Sequence, residues 1–400
     1  MKFPCFCASI LCLATSLFPY PTDWSPGAEI PSGGTYANTN VTLAYNAFSK
    51  RMFAAWNDGN TSQGYYSIFN GSVWSAAAAF PMGMSADIYE SIFQTYNAGS
   101  HQMFAGWANQ TAPRHPWFTI YDGSSWTTAA QIPQGMSGNV DSNVRLAYDS
   151  GSNQVVATWS DGDPYAAYHD GTGWILTEPI NLGTSSGSWY DVAVCYNFAD
   201  DEIFVAWINT FNDSPYYSRR VGGMWTSALI PQGVSGGAYY NVNLAYDSIG
   251  NRVFAVWADI NNQRVFYSIY SGGSWSTAVL INHGPSAGAV LDAYLAFDPD
   301  SNAMYVTWAD VNTGLPYYSV YSGGAWSTGA VIPPGVSPYA GNNVFSAYNS
   351  GQFALFAAWD DGITGFPIWS STSLTPLPPE GTPPNFLRPS NRRPIGSLNN

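Results

Sequence analysis

The stretch WSPGAEIPSG at residues 24–33 reappears as WSTGAVIPPG at residues 326–335, with seven of ten positions identical. The early copy stands alone, whereas the late copy follows PYYSVYSGG, the first half of the same repeat. At the other end of the chain, FPIWSSTS at residues 366–373 supplies such a first half with no second half after it. One repeat is therefore divided between the two ends of the chain.

A tryptophan marks each repeat unit, in AAWND, AGWAN, ATWSD, VAWIN, AVWAD, VTWAD and AAWDD, at intervals of 48 to 52 residues. These seven anchor tryptophans are Trp56, Trp107, Trp159, Trp207, Trp257, Trp308 and Trp359. A second tryptophan precedes each anchor by 32 or 33 residues, and this series is Trp24, Trp74, Trp126, Trp174, Trp225, Trp275 and Trp326. Because Trp24 keeps the spacing, the repeat phase continues into the N-terminal region.

Each unit has the pattern of four short β-strands, which we call A to D. In the fifth unit they are predicted at residues 241–247, 252–259, 265–270 and 274–281, all rich in β-branched and aromatic residues. Four-strand units repeated about every fifty residues predict an all-β fold, a seven-bladed β-propeller of four-stranded antiparallel blades. The orphan segment at 24–33 then supplies strand D of the last blade, so that an N-terminal strand closes the ring.

The two ends of the chain differ from this repeat region. Residues 1–16 contain one Lys and a short apolar stretch, a pattern typical of a secretory signal peptide. We therefore expect a secreted protein, extracellular or at the cell surface, with the propeller at residues 17–373. Residues 374–400 are rich in Pro, and we expect a disordered tail. Only Cys195 stands outside the signal peptide, so no internal disulfide is predicted.

The propeller region is acidic. Residues 17–373 carry eight basic and twenty-five acidic side chains, a net charge of −17. Long-range repulsion disfavours nucleic acid, anionic membranes and anionic substrates, whereas cations, basic partners and neutral sugars are allowed. We expect no membrane span and a monomer, with a glycan or a surface protein as partner.

The turn element YxGGxWS between strands C and D resembles that of bacterial seven-bladed propeller lectins and of sialidase-like propellers. The resemblance covers residues 23–373 and implies the propeller architecture. Sialidases carry a related turn, Ser-x-Asp-x-Gly-x-x-Trp, and YHDGTGW at residues 168–174 comes nearest to it, without the Ser and one residue shorter. That turn is a structural element in those families, so the resemblance implies no catalytic role for it.

Two polar columns end on the face formed by the B–C and D–A loops. The first follows each anchor tryptophan by two positions and consists of Asp58, Asn109, Asp161, Asn209, Asp259, Asp310 and Asp361. The second opens each strand A and consists of Asn40, Ser91, Asn143, Asp191, Asn241, Asp292 and Asn343. Such oxygens suit sugar hydroxyls or a hard cation, but they also fasten turns by accepting backbone N–H groups. We favour the scaffold interpretation; no cofactor is predicted, and Ca²⁺ is the open alternative.

Departures from the repeat are more informative about a unique site. On the loop face they are Glu90, Arg114, His115, Trp189, Tyr190, Tyr239, Tyr240 and His283. Arg145 stands in a strand A and is expected to face the channel. The candidate ligand-binding residues are therefore Asp58, Asp161, Asp259, Asp310, Asp361, Asn143, Asp191, Asn241, Asp292, Arg114, Arg145, Trp189, Tyr190, Tyr239 and Tyr240.

The sequence favours a binding protein over an enzyme, and no catalytic residue is predicted. The resemblance to sialidases implies an arginine triad and a Tyr nucleophile with a Glu partner, but Arg114, Arg145 and Arg264 do not match that arrangement. HExxH and P-loop motifs are absent from the sequence. We therefore expect non-catalytic, lectin-like recognition of glycans. A protein-binding or adhesion scaffold is the first alternative, and a sialidase-like glycan-cleaving enzyme is the second.

Overall fold

The computed structural model of the protein describes residues 23–372, apart from residues 86, 186, 260, 287, 289, 290 and 311 and the side chains of residues 38, 39, 189 and 342. The predicted signal peptide and the predicted tail lie outside the described residues. The described chain contains no helix and forms seven antiparallel sheets, whose innermost strands pack against one another in a closed ring. The predicted seven-bladed β-propeller is confirmed.

The blades share one strand order. Strands A, closest to the central channel, are β2 (Ala37–Asn46), β6 (Phe93–Asn97), β10 (Arg145–Asp149), β14 (Trp189–Asn197), β18 (Ala238–Asp247), β23 (Ala293–Asp298) and β28 (Ala340–Asn349). Strands B are β3 (Arg51–Asp58), β7 (Gln102–Ala108), β11 (Gln154–Ser160), β15 (Glu202–Ile208), β19 (Arg252–Asp259), β24 (Ala303–Asp310) and β29 (Ala354–Asp361).

Strands C and D form the outer half of each blade. Strands C are β4 (Gly64–Phe69), β8 (Pro116–Tyr121), β12 (Pro164–His169), β16 (Pro215–Val221), β20 (Val265–Ser271), β25 (Leu315–Ser322) and β30 (Pro367–Ser371). Strands D are β1 (Ala28–Glu29), β5 (Ala78–Ala79), β9 (Ala130–Gln131), β13 (Trp174–Pro179) and β17 (Met224–Leu229), and in two blades the pairs β21 (Ser274–Trp275) with β22 (Val279–Leu280) and β26 (Ala325–Trp326) with β27 (Ala330–Val331).

The two ends of the described chain meet in the seventh blade. Strand β1 pairs antiparallel with β30, placing Ala28 opposite Trp369. The backbone N–H of Ser25 donates to the carbonyl of Ser371 at 2.8 Å, and Trp24 is buried in the core of this blade. The prediction that an N-terminal strand completes the last blade is therefore confirmed.

The anchor tryptophans form the core, as predicted. All seven are completely buried, packed between neighbouring blades. In the fifth blade, strand B matches the predicted range, strand A begins three residues earlier, and strand D is interrupted at residues 276–278. At the interruption, side-chain bonds replace part of the backbone ladder: the Ile269 backbone N–H donates to the Ser276 hydroxyl at 3.0 Å, and the Ser268 hydroxyl donates to the Ser276 carbonyl at 2.6 Å.

The same hydroxyl bond recurs in the closing blade. Ser370 of β30 donates to the carbonyl of Ser25 at 2.6 Å, as Ser67 of β4 donates to the carbonyl of Ser75 at 2.7 Å. The contact across the chain ends therefore reproduces an ordinary contact within a blade. The described residues include no helix of the length and apolarity needed to cross a membrane.

Candidate functional site

The first polar column fastens the B–C turns. Asp259 shows the arrangement, because its Oδ1 accepts the backbone N–H groups of Asn261 at 2.9 Å and Asn262 at 3.0 Å. Asp58 and Asp310 accept backbone N–H groups two residues onward in the same way. Asp161 and Asp361 also accept N–H groups of nearby loops. These side chains, all buried except the partly exposed Asp161, stabilise turns, which agrees with the scaffold interpretation.

The second polar column forms a chain of hydrogen bonds around the central channel. Its members are all buried. The bonds join Asn40 to Ser91, Ser91 to Asn143, Asn143 to Asp191, Asp191 to Asn241, Asn241 to Asp292, and Asn343 to Asn40. We call this set the polar ring. Among the described residues, no group of three or more His, Cys, Asp or Glu side chains is arranged to hold a metal ion.

Below the polar ring, Arg145 points into the channel. Its guanidinium Nε donates to Asp191 Oδ2 at 2.9 Å, and its Cζ lies 3.7 Å from the centre of the Phe93 ring. Tyr294 and Phe345 pack beside Phe93 and narrow the channel. Burial, followed by the charge of Asp191, raises the pKa of Asp292 in the adjoining part of the ring to about 7.

Above the polar ring, residues that depart from the repeat meet in one sector. Glu90, Tyr190 and Tyr240 each stand immediately before a member of the polar ring, and Tyr89 and Tyr239 precede them. The Tyr190 and Tyr240 rings are 5.3 Å apart, and the Tyr239 and Tyr240 rings are 4.2 Å apart, both edge to face. All five side chains are partly exposed. Together with Arg114 and Ser142, we call them the channel mouth.

Arg114 and Glu90 connect the tyrosines to the polar ring. The Arg114 Cζ lies 3.4 Å from the centre of the Tyr89 ring, and its Nη1 donates to the Asp141 carbonyl at 3.1 Å. Glu90 Oε2 accepts from the Ser142 hydroxyl and from Asn143 Nδ2, both at 2.9 Å. Five separate segments of the chain therefore contribute to one surface, which includes the Glu90 carboxyl group.

The backbone at Tyr190 is strained. Its φ is +55°, a left-handed value that is unusual for a bulky side chain, and the pairing of β14 with β15 is irregular between Trp189 and Ala193. Such strain persists where the surroundings hold it, and it clusters at functional sites. The Trp189 side chain lies outside the described residues, so its predicted role stays a prediction.

The electrostatics of the mouth do not supply a pair of catalytic carboxyl groups. Burial, followed by the nearby charge of Asp191, raises the pKa of Glu90. Asp191 accepts from the same Ser142 hydroxyl at 2.8 Å, so the two carboxyl groups are neighbours. Asp191, however, is only 2% exposed and is bound by Arg145. A glycosidase that works through two carboxyl groups needs both of them at the substrate, and of this pair only Glu90 is partly exposed.

The remaining departures have structural roles. His283 is buried beside Trp308 and accepts the Val265 backbone N–H through Nε2 at 2.7 Å, and burial lowers its pKa to about 4. His115 lies against Gln134. The turn at residues 168–174 is closed by Asp170, which accepts backbone N–H groups within the turn, as the structural interpretation of that motif requires.

Sequence reasoning missed Tyr89 and Ser142 in the mouth and two clefts that flank the fourth blade. A cleft of about 530 Å³ lies against Pro179, Leu182 and Trp225, and a more polar one of about 360 Å³ lies beside Glu202 and Arg219. Both run between blades and stand apart from the mouth. The signal for the second cleft was the replacement, in the fourth unit, of the usual apolar pair in strand C by Arg219 and Arg220.

No protein-family model and no curated protein matches the sequence. Among solved structures, a chain of the Mitotic Checkpoint Complex aligns with a TM-score of 0.54 and 13% identity over 92% of this chain and 98% of that chain. AofleA from Arthrobotrys oligospora aligns with a TM-score of 0.51 and 11% identity over 78% of this chain and 91% of that chain. The Aleuria aurantia lectin, described as a six-bladed propeller with a novel fucose recognition mode, aligns with a TM-score of 0.48 and 16% identity over 76% and 98%.

Sialidases also match in structure. The predicted resemblance to propeller lectins and sialidase-like propellers is confirmed at the level of the fold. At these identities the likeness shows architecture alone. The class that fold and site define is a seven-bladed β-propeller with one asymmetric, tyrosine-rich channel mouth.

Proposed function

We propose that this protein is a non-catalytic binding propeller that recognises a glycan at the channel mouth. The observation that carries the proposal is the convergence of Tyr89, Glu90, Tyr190, Tyr239 and Tyr240, which are dispersed in the sequence, above the polar ring. A rigid scaffold that presents unlike residues from several loops at one place is a common basis for ligand binding.

The chemistry of the mouth suits a sugar. Tyrosine rings offer apolar faces to the apolar side of a pyranose, and their hydroxyls bond to its rim. The hydrogen bond between Tyr240 and Tyr239, followed by burial, raises the pKa of Tyr240 to about 12, so the Tyr240 hydroxyl stays protonated at neutral pH. Glu90 adds an acceptor for sugar hydroxyls. The polar ring beneath fixes the loops that carry these groups.

A glycan array tests the proposal, using the wild-type protein and the Tyr240→Ala variant. Tyr36→Ala is the matched control, since Tyr36 is a partly exposed tyrosine of a D–A loop outside the mouth. We expect binding to a restricted family of glycans, retained in the control and reduced at least tenfold in Tyr240→Ala. Loss of binding in a chelator would support the Ca²⁺ alternative. Binding unaffected by Tyr240→Ala would contradict the site.

A second candidate function, binding of a protein, is favoured by one observation. The D–A loop tips carry strongly exposed apolar side chains on the same face, namely Met84, Met136, Val234 and Val336. Exposed apolar groups around a central polar site are typical of protein interfaces. If the folded protein binds no glycan on the array, with or without Ca²⁺, the glycan proposal is contradicted and protein binding is favoured.

A further inference from the structure

The channel and its mouth already hold cations on aromatic faces. The Arg145 guanidinium lies over Phe93 and the Arg114 guanidinium lies over Tyr89, at 3.7 and 3.4 Å from the ring centres. A positive group over an aromatic face is attracted by the negative face of the ring, more strongly where water is excluded. Both arginines are also held by acceptors of the protein, Arg145 by Asp191 and Arg114 by the Asp141 carbonyl.

Tyr190, on the other side of the mouth, lies in a negative field. Glu90 and Asp213 both act electrostatically on it. The charge of Arg145 is balanced by Asp191 at the base of the site. A field of this sign opposes anionic ligands and favours cations, in the same direction as the acidic charge of the whole propeller region.

We propose that the glycan recognised at the mouth carries a positive charge, and that its chemical class is an unacetylated amino sugar. Glu90 faces the ammonium group of the sugar, and Tyr190 and Tyr240 supply aromatic faces against the sugar ring. This inference rests on the proposed glycan-binding function and adds the charge of the ligand to it.

Calorimetric titration with two matched probes tests this inference. One probe is a β-1,4-linked hexamer of glucosamine, and the other is the same hexamer with every amine acetylated. At low salt and mildly acidic pH, we expect the glucosamine hexamer to bind the wild-type protein at least about tenfold more tightly. Added salt should weaken its binding and leave that of the acetylated hexamer nearly unchanged.

Two variants assign the preference to the mouth. Glu90→Gln keeps an acceptor for Ser142 and Asn143 but removes the charge, so the preference for the amine should fall below about threefold. Glu29→Gln makes the same change on strand β1, remote from the mouth, and should leave the preference as it is. Equal affinities for the two hexamers, or tighter binding of the acetylated one, would overturn the inference.

The outcomes also separate this inference from the proposed function. If neutral glycans bind on the array and the glucosamine hexamer binds no better, the charge assignment is wrong and glycan recognition stands. If no glycan binds, both are wrong. A preference for the amine that survives Glu90→Gln would also overturn the inference, because it would place the selecting charge elsewhere.

Discussion

The seven-fold framework and the channel mouth follow opposite rules. In the framework, the same residue type makes the same bond in successive blades, as Ser67 and Ser370 do between strands C and D. At the mouth, equivalent positions in successive blades hold different residues, Glu90, Ser142, Tyr190 and Tyr240. Residues that repeat from blade to blade hold the blades together. Residues that depart from the repeat form the channel mouth, a surface present in only one sector of the propeller.

The two polar columns show why this distinction matters. Their carboxylates and amides repeat around the axis and could be taken for a ring of ligands. Within the described residues they accept turn N–H groups or bond to one another. The mouth residues, apart from the buried Ser142, are instead partly exposed. The experiments below either break the framework or change the mouth, and they should affect stability and binding separately.

The largest effect is expected from opening the ring. Deleting residues 1–30 removes Trp24 and β1, and so exposes the edge of β30 and part of the core of the seventh blade. We expect a loss of cooperative unfolding or a fall in melting temperature of more than about 10 °C, and circular dichroism measures either change. Deleting residues 1–22 keeps all described closing contacts and is the control. Equal stability of the two deletions would contradict a closed ring.

The next effect concerns the buried ion pair under the mouth. Arg145→Met leaves the Asp191 carboxylate buried without its cation, which costs about 3–5 kcal/mol of unfolding free energy. Urea denaturation measures this loss. Combining Arg145→Met with Asp191→Asn removes both charges and should restore most of the stability. If the unfolding free energy of Arg145→Met lies within about 1 kcal/mol of that of the wild type, the ion pair does not stabilise the polar ring.

A pH-dependent effect of intermediate size is expected from Asp292. Its pKa is about 7 in the folded protein, against an ordinary value of 3.8, so the folded state holds a proton that the unfolded chain releases. Stability should therefore fall as pH rises from about 4 to about 7. The groups that face Asp292 are Asp191, Arg145, Asn241 and Tyr294.

Asp292→Asn cannot ionise and isolates this contribution. The unfolding free energy of the variant relative to the wild type should increase by more than about 1 kcal/mol between pH 4.5 and pH 8. Parallel pH profiles for the two proteins would contradict the burial of a protonated Asp292 in the polar ring.

The smallest effect should come from the strained backbone of the mouth. A left-handed φ costs a residue with a Cβ roughly 1 kcal/mol more than it costs glycine. The free energy of unfolding of Tyr190→Gly should therefore be about 1 kcal/mol higher than that of Tyr190→Ala. Both variants should lose glycan binding because both lack the tyrosine ring. If Tyr190→Ala proves equally stable, the left-handed conformation at this position is not maintained.

The sequence supported prediction of the framework better than of the mouth. The tryptophan spacing gave the number of blades and the closing strand, because each blade repeats the same packing. The interruption of strand D in the fifth blade was not predicted, since there the Ile269 backbone N–H donates to the Ser276 hydroxyl and not to a backbone carbonyl. Arg145 lies in the channel as expected, because alternation along strand A sets its direction.

The mouth required information that spacing does not carry. Glu90, Tyr190 and Tyr240 were noted as departures from the repeat, but they were not grouped into one site. Together with Ser142 they each stand 17 residues before an anchor tryptophan, so spacing places them at equivalent positions without showing which side chains meet. The contribution of Ser142 becomes visible only once blades are placed side by side.

The number of glycan sites per chain is the measurement that tests the central claim most directly. The ligand should be the tightest binder on the array, titrated calorimetrically into the wild-type protein and into Tyr240→Ala. The account predicts one site per chain, lost in the variant while the melting temperature stays close to that of the wild type. Several equivalent sites that persist in Tyr240→Ala would contradict it, and would return the repeating columns to consideration as the binding residues.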